Sequence, residues 1–208
     1  MTRRAFRLAA AALLLPTLAV AQGPANTGQN VVGGIDQNWT YSLNNSAFGN
    51  AFLVTAKPGA WQSVGAGYDW ISVNSNASSG IFPSNHRFRT TFDLTGFDHT
   101  TAVLRFKCAH DNFFASWSLN SATSSTNVCG GDNGFQFGAV STVNSGFVAG
   151  LNTLTFSING DGQTDGLVFK VESFDVRRLP NVVIPEPGTY ALLGTGLLGL
   201  ALAGRRRR

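Results

Sequence analysis

Lysine and histidine each occur only three times among 208 residues, and cysteine only twice. Each scarcity closes a route. Cys108 and Cys129, twenty-one positions apart, lack the close paired spacing of a zinc site, so no metal is expected. His86, His99 and His110 fall in or beside turn-like sequence, and the chain contains neither a G-x-S-x-G elbow nor an H-E-x-x-H pair. Only His110-Asp111 sets a base beside an acid, and sequence neighbours on a strand point to opposite faces. The expectation is a non-enzyme without a cofactor. Helical apolar periodicity is missing outside the two chain ends, and there is no internal repeat.

What is present is concentrated first at those ends. Arg3, Arg4 and Arg7 form a basic segment, Leu8 to Leu18 an apolar one, and Ala19-Val20-Ala21 a small-residue cleavage site, the layout of a secretory signal over residues 1–21. The run Thr2-Arg3-Arg4-Ala5-Phe6 also resembles a twin-arginine signal, and both export routes stay open. At the other end, Pro185-Glu186-Pro187 lacks two amide donors and fixes two φ angles, which predicts an extended, readable segment. Fifteen residues without charge follow, Tyr190 to Gly204, and then four arginines, Arg205 to Arg208. As a helix the apolar run extends roughly 22 Å, short of a bilayer core about 30 Å thick. This predicts a short transmembrane helix serving as a temporary anchor, with its arginine end in the cytoplasm.

This three-part tail, residues 179–208, resembles the PEP-CTERM sorting signal of Gram-negative bacteria, with Pro185, Glu186 and Pro187 as the motif. The resemblance implies recognition by an exosortase, a membrane-embedded cysteine transpeptidase. It further implies transient anchoring in the inner membrane, then delivery to the cell surface or extracellular matrix.

The ends also account for the charge. The chain is formally +4 with a pI near 9.5, a balance that ordinarily points to nucleic acid. The signal holds three basic residues and the tail four, leaving eight against ten acids and a domain near −2. No nucleic-acid partner is expected. Seventeen asparagines with abundant Ser, Thr and Gly predict a neutral hydrogen-bonding surface, suited to polysaccharide and equally to any secreted β-protein.

Between the ends, Gly23 to Gly34 reads as a flexible lead-in (22–34), and one domain follows over 35–178. Period-two alternation marks strands: Phe88, Thr90, Phe92 and Leu94 on one face; Ala102, Leu104, Phe106 and Cys108; Leu154, Phe156 and Ile158. Leu167, Phe169 and Val171 hold one parity and Phe174 and Val176 the other, which predicts a bulge at Glu172 to Ser173. The expected class is all-β, an antiparallel β-sandwich. In an exported chain Cys108 and Cys129 are expected to pair. The succession Trp70-Ile71-Ser72, Phe88 to Leu94, Ala109-His110-Asp111-Asn112, Leu119-Asn120, Gly150 to Leu154 and Gly166-Leu167 resembles a galactose-binding-like jelly roll. That resemblance implies a ligand site at loop edges near His110, Asp111, Asn112 and Asn120.

Two further features bear on binding. Asn159 to Asp165 spaces side-chain oxygens as part of a calcium loop does, but Ser157 and Val168 stand where acids are needed, and a hairpin turn is the stronger reading. Trp117 shares a parity with Phe113, Ala115 and Leu119, which places it on the core side rather than on a sugar platform. The function expected is a non-enzymatic exported surface or matrix protein associated with exopolysaccharide or biofilm. The alternative is a carbohydrate-binding adhesin module.

Overall fold

Alternating apolar and polar residues produce strands throughout the domain. A computed structural model of the chain describes residues 22–78, 84–130 and 134–180. The strands are β1 (Val31–Val32), β2 (Ile35–Leu43), β3 (Gly49–Leu53), β4 (Ile71–Ser72), β5 (Ser84–Asp93), β6 (Phe97–Asp111), β7 (Phe113–Leu119), β8 (Ala122–Ser124), β9 (Ser141–Val143), β10 (Leu151–Gly160) and β11 (Gly166–Arg178). All pairings are antiparallel, in the order β8-β7-β10-β5-β2-β3-β4-β11-β6-β9, with β1 beside β2. The all-β, antiparallel expectation holds. No described helix is long and apolar enough to cross a membrane.

The sheet curls through the short strands β3 and β4, so its two halves face each other across one core. Phe156 on β10 lies 5.6 Å from Phe169 on β11 and 6.1 Å from Phe106 on β6, ring centre to ring centre. Trp39 on β2 stands 5.4 Å from Phe169. These aromatic rings interlock from strands far apart in the pairing order, and burying each contributes on the order of 2–3 kcal/mol.

The expected faces are observed. Phe88, Phe92, Leu94, Ala102, Leu104, Phe106, Leu154, Phe156 and Ile158 are all buried. The bulge at Glu172 is present: Val171 pairs with Phe106 and Ser173 with Arg105, leaving one residue between them unpaired. That extra residue lets Phe174 and Val176 return to the core side, where both pack against the cluster.

Three expectations are corrected. The Gly- and Asn-rich stretch 22–34 is fastened to the sheet rather than flexible. The Thr27 amide donates to the Phe169 carbonyl, the Val171 amide donates to Asn26 Oδ1, and Trp39 Nε1 donates to the Ala25 carbonyl. Few apolar side chains are needed where backbone groups and amides supply the attachment. Next, β7 carries a bulge at Ala115, since Ser157 pairs with Ser116 and Ile158 with Phe114. Parity therefore reverses below it: Trp117 and Leu119 keep the core side, Phe114 turns inward, and Phe113 is 57% exposed. Finally, 161–165 is not a hairpin. Its flanking strands pair with different neighbours, β10 with β5 and β7, β11 with β4 and β6, so the loop crosses between the halves.

Candidate functional site

The expected disulfide is formed. Cys108 and Cys129 are bonded, with Cα atoms 4.5 Å apart, and the Gly130 amide donates to the Cys108 carbonyl. The bridge fixes the segment after β8 against β6, immediately before His110.

His110 and Asp111 end β6, and both are enclosed, at 1% and 4% exposure. His110 Nδ1 lies 2.9 Å from the Asn112 carbonyl oxygen, and its amide donates to the Gly134 carbonyl. Gly134 packs so closely over the imidazole that a Cβ there would meet the ring at 2.5–2.9 Å, which only glycine avoids. Asp111 Oδ2 accepts the Trp61 indole N–H at 2.7 Å and, more weakly, the Thr164 hydroxyl at 3.4 Å. Its Oδ1 has no hydrogen-bond partner among the described residues. Burial chiefly, with the charges of Asp165 and Asp161, pushes the Asp111 carboxyl up to about 6 despite the bonds from Trp61 and Thr164.

Asn112 stays at this end, its amide 3.4 Å from the Thr164 carbonyl. Asn120 does not. It sits beyond the far end of β7, roughly 25 Å along the strand at about 3.3 Å per residue. There it adopts a positive φ of 56° and braces the turn, donating to the Gly146 carbonyl and Asn152 Oδ1 and accepting from the Thr153 amide. The four residues are thus divided between two ends, and two of the three at the β6 end face inward.

Beside Asp111 lies a cluster that sequence reasoning passed over. His86 in β5 is fully buried; its Nε2 lies 2.7 Å from Ser84 Oγ and 3.1 Å from Asp165 Oδ2, and its Nδ1 lies 2.8 Å from the Tyr41 hydroxyl. Burial and the Asp165 charge push the Tyr41 phenol up, so it stays protonated beside Nδ1. Ser84 and Asp165 both meet the ring at Nε2. A hydrolytic triad requires serine and carboxylate on opposite ring nitrogens. Here both share one, in a sealed interior. Gly160 completes the enclosure, because a Cβ on it would collide with Asp165, His86 and Ser84. The signal for this cluster was the Phe88 parity, which continues backwards through His86 and Ser84.

The remaining candidates are similarly resolved. Asp161 Oδ1 accepts the Gln163 amide in a local turn while Asp165 is turned to His86, and the described residues contain no group of three or more His, Cys, Asp or Glu able to hold a metal ion. Trp39, Trp61 and Trp70 are buried, Trp117 packs on the core, and Trp61 stacks on Trp70 at 4.1 Å. A cleft of about 350 Å³ beside Asn38, Thr91 and Phe97 offers one carboxylate, Asp93, whose pKa is held down by the Thr95 hydroxyl and amide. No catalytic combination arises there.

Pro185, Glu186 and Pro187, with the rest of residues 181–208 and the signal segment 1–21, lie outside the described residues. No curated protein and no solved structure matches the chain. The PEP-CTERM protein-sorting motif matches residues 183–208. The chain therefore carries the sorting signal that exosortases recognise, and with it the mark of an exported, cell-surface-directed protein.

Proposed function

We propose that this is a non-enzymatic surface or extracellular-matrix protein, exported by the signal at 1–21 and held transiently in the inner membrane by the apolar run Tyr190 to Gly204. An exosortase processes the tail, and the galactose-binding-like jelly-roll domain then joins an exopolysaccharide or biofilm layer. The observation that carries this reading is the sorting motif at residues 183–208. The Cys108–Cys129 bridge supports an oxidising destination. The sealing of Ser84, His86 and Asp165 supports a structural role for these residues, since no substrate carbonyl reaches a fully buried histidine.

Replacing Pro185-Glu186-Pro187 with three alanines tests the reading, because the apolar run and Arg205 to Arg208 survive. Wild type is expected to end near the motif and to leave the inner membrane; the variant is expected at full length and membrane-bound. Full-length wild type confined to the inner membrane, indistinguishable from the variant by fractionation and intact mass, contradicts it.

A further inference from the structure

Lys57 pairs with Asp69. On the β6–β11 half of the sheet, Arg105 faces Asp175 at 3.7 Å and Lys170 faces Glu172 at 3.0 Å, while Lys107 stands alone without an ion pair among the described residues. Arg87 and Arg89 on β5 differ in being two such cations together, on one face and on one aromatic ring. Neither has a carboxylate partner or donates a side-chain hydrogen bond among the described residues, and Arg87 Nε is covered without an acceptor. Their guanidinium carbons lie 4.8 and 3.7 Å from the centre of the Phe48 ring. Phe48 is brought there by the β2–β3 connection, which turns at Asn44 and Asn45 with φ of 49° and 61° and is pinned to β5 through Asn44 Oδ1 and the Asn85 amide at 2.7 Å. Two guanidiniums are thus held on one ring, from residues about 7 Å apart along the strand.

The neighbouring positions complete a pattern. Across the sheet Arg87 lies in register with Ser157 and then Ser116, and Arg89 with Thr155 and then Ser118. These four side chains are partly exposed, and none makes a side-chain hydrogen bond among the described residues. A hydroxyl both donates and accepts, as a sugar hydroxyl does. A guanidinium presents a planar fork that matches a carboxylate.

We infer that the outer face of β5, β10 and β7 binds an acidic polysaccharide, with Arg87 and Arg89 taking uronate carboxylates and the Ser and Thr rows taking ring hydroxyls. The inference rests on the matrix role proposed above and names its ligand class. A duplex fits this face less well than a uronate polymer, because the rows beside the two guanidiniums are uncharged hydroxyls, which suit ring hydroxyls and neutralise none of a duplex's closely spaced phosphates. The face is flat, so a single contact is weak and repeated units along a polymer supply the retention.

Full-length protein in detergent, run through gels containing polygalacturonate, is expected to be retarded relative to a polymer-free gel, and gels containing dextran are expected to leave it unaffected. The R87Q/R89Q variant is expected to bind at least about tenfold more weakly, while R105Q/K107Q, which removes two charges from β6, keeps the wild-type retardation. Circular dichroism melting checks that the variants fold. If R87Q/R89Q does not, R87K/R89K is read instead, with a partial loss expected because charge remains and the fork is gone. Equal retardation by dextran, equal loss in the β6 variant, displacement by duplex DNA as effective as by free polygalacturonate, or no retardation of wild type overturns the inference. Wild type that is processed normally in its host yet not retarded removes this inference and leaves the sorting reading standing.

Discussion

The folded domain and the tail carry opposite kinds of information. The described residues of 22–180 fold around buried aromatic rings contributed by strands distant in sequence. Residues 183–208 match a known sorting motif through a short local sequence. A fold is held by distributed contacts that many sequences supply, so it leaves little trace in any one stretch. An address is read by another protein, residue by residue. Destination is consequently legible where molecular task is not.

If the two regions are separable, damage to either should leave the other's property untouched, and the largest such damage is in the core. Phe156 is fully buried against Trp39, Phe106 and Phe169. Phe156→Ala is expected to cost about 3–5 kcal/mol by chemical denaturation, while the molecules that fold are still processed at the same position. A shifted processing site in that variant would join the two regions and break the comparison.

The disulfide comes next. It closes a 21-residue separation, and its loss is expected to cost about 3 kcal/mol, lowering the melting temperature by roughly 6–12 °C. Exported protein should show no free thiol when denatured. Two titratable thiols would contradict both the bridge and the oxidising destination.

A smaller effect sharpens the account of the β6 end. Asp111 is pushed up to about 6 from the usual 3.8, chiefly by burial, so between those values the folded protein keeps a proton that the unfolded chain releases. Its stabilising contribution is present below about pH 4 and lost as pH rises to about 6, a change of about 1–3 kcal/mol. Asp111→Asn keeps an acceptor for Trp61 and removes the charge. It is expected to exceed wild type in stability by about 1–2 kcal/mol at pH 7.5 and to match it near pH 4. Wild type and variant with parallel pH profiles would show that Asp111 is not held up.

The strands were legible because period two survives wherever one face is buried, as in Phe88 to Leu94 and Leu154 to Ile158. The bulge at Glu172 was legible too, since apolar residues stand on both sides of the parity change. The bulge at Ala115 was hidden because Phe113 and Phe114 are both apolar, and either register buries a phenylalanine. The His86 cluster was obscured by a different effect: polar residues occupy core positions there, and their satisfaction depends on Tyr41 and Asp165, far away in the chain. Arg87 and Arg89 could be placed on an outer face by parity alone. That they lack acids became apparent only when the strands around them were assembled.

The claim that the tail directs the processing and final location of an exported domain is tested most directly by transplanting it. Residues 179–208 are fused to an unrelated exported reporter in the native host, and the reporter's intact mass and location are measured. The account predicts a reporter shortened to near Pro185-Glu186-Pro187 and found outside the inner membrane. A reporter retained there at full length, while the native protein is processed, would contradict it.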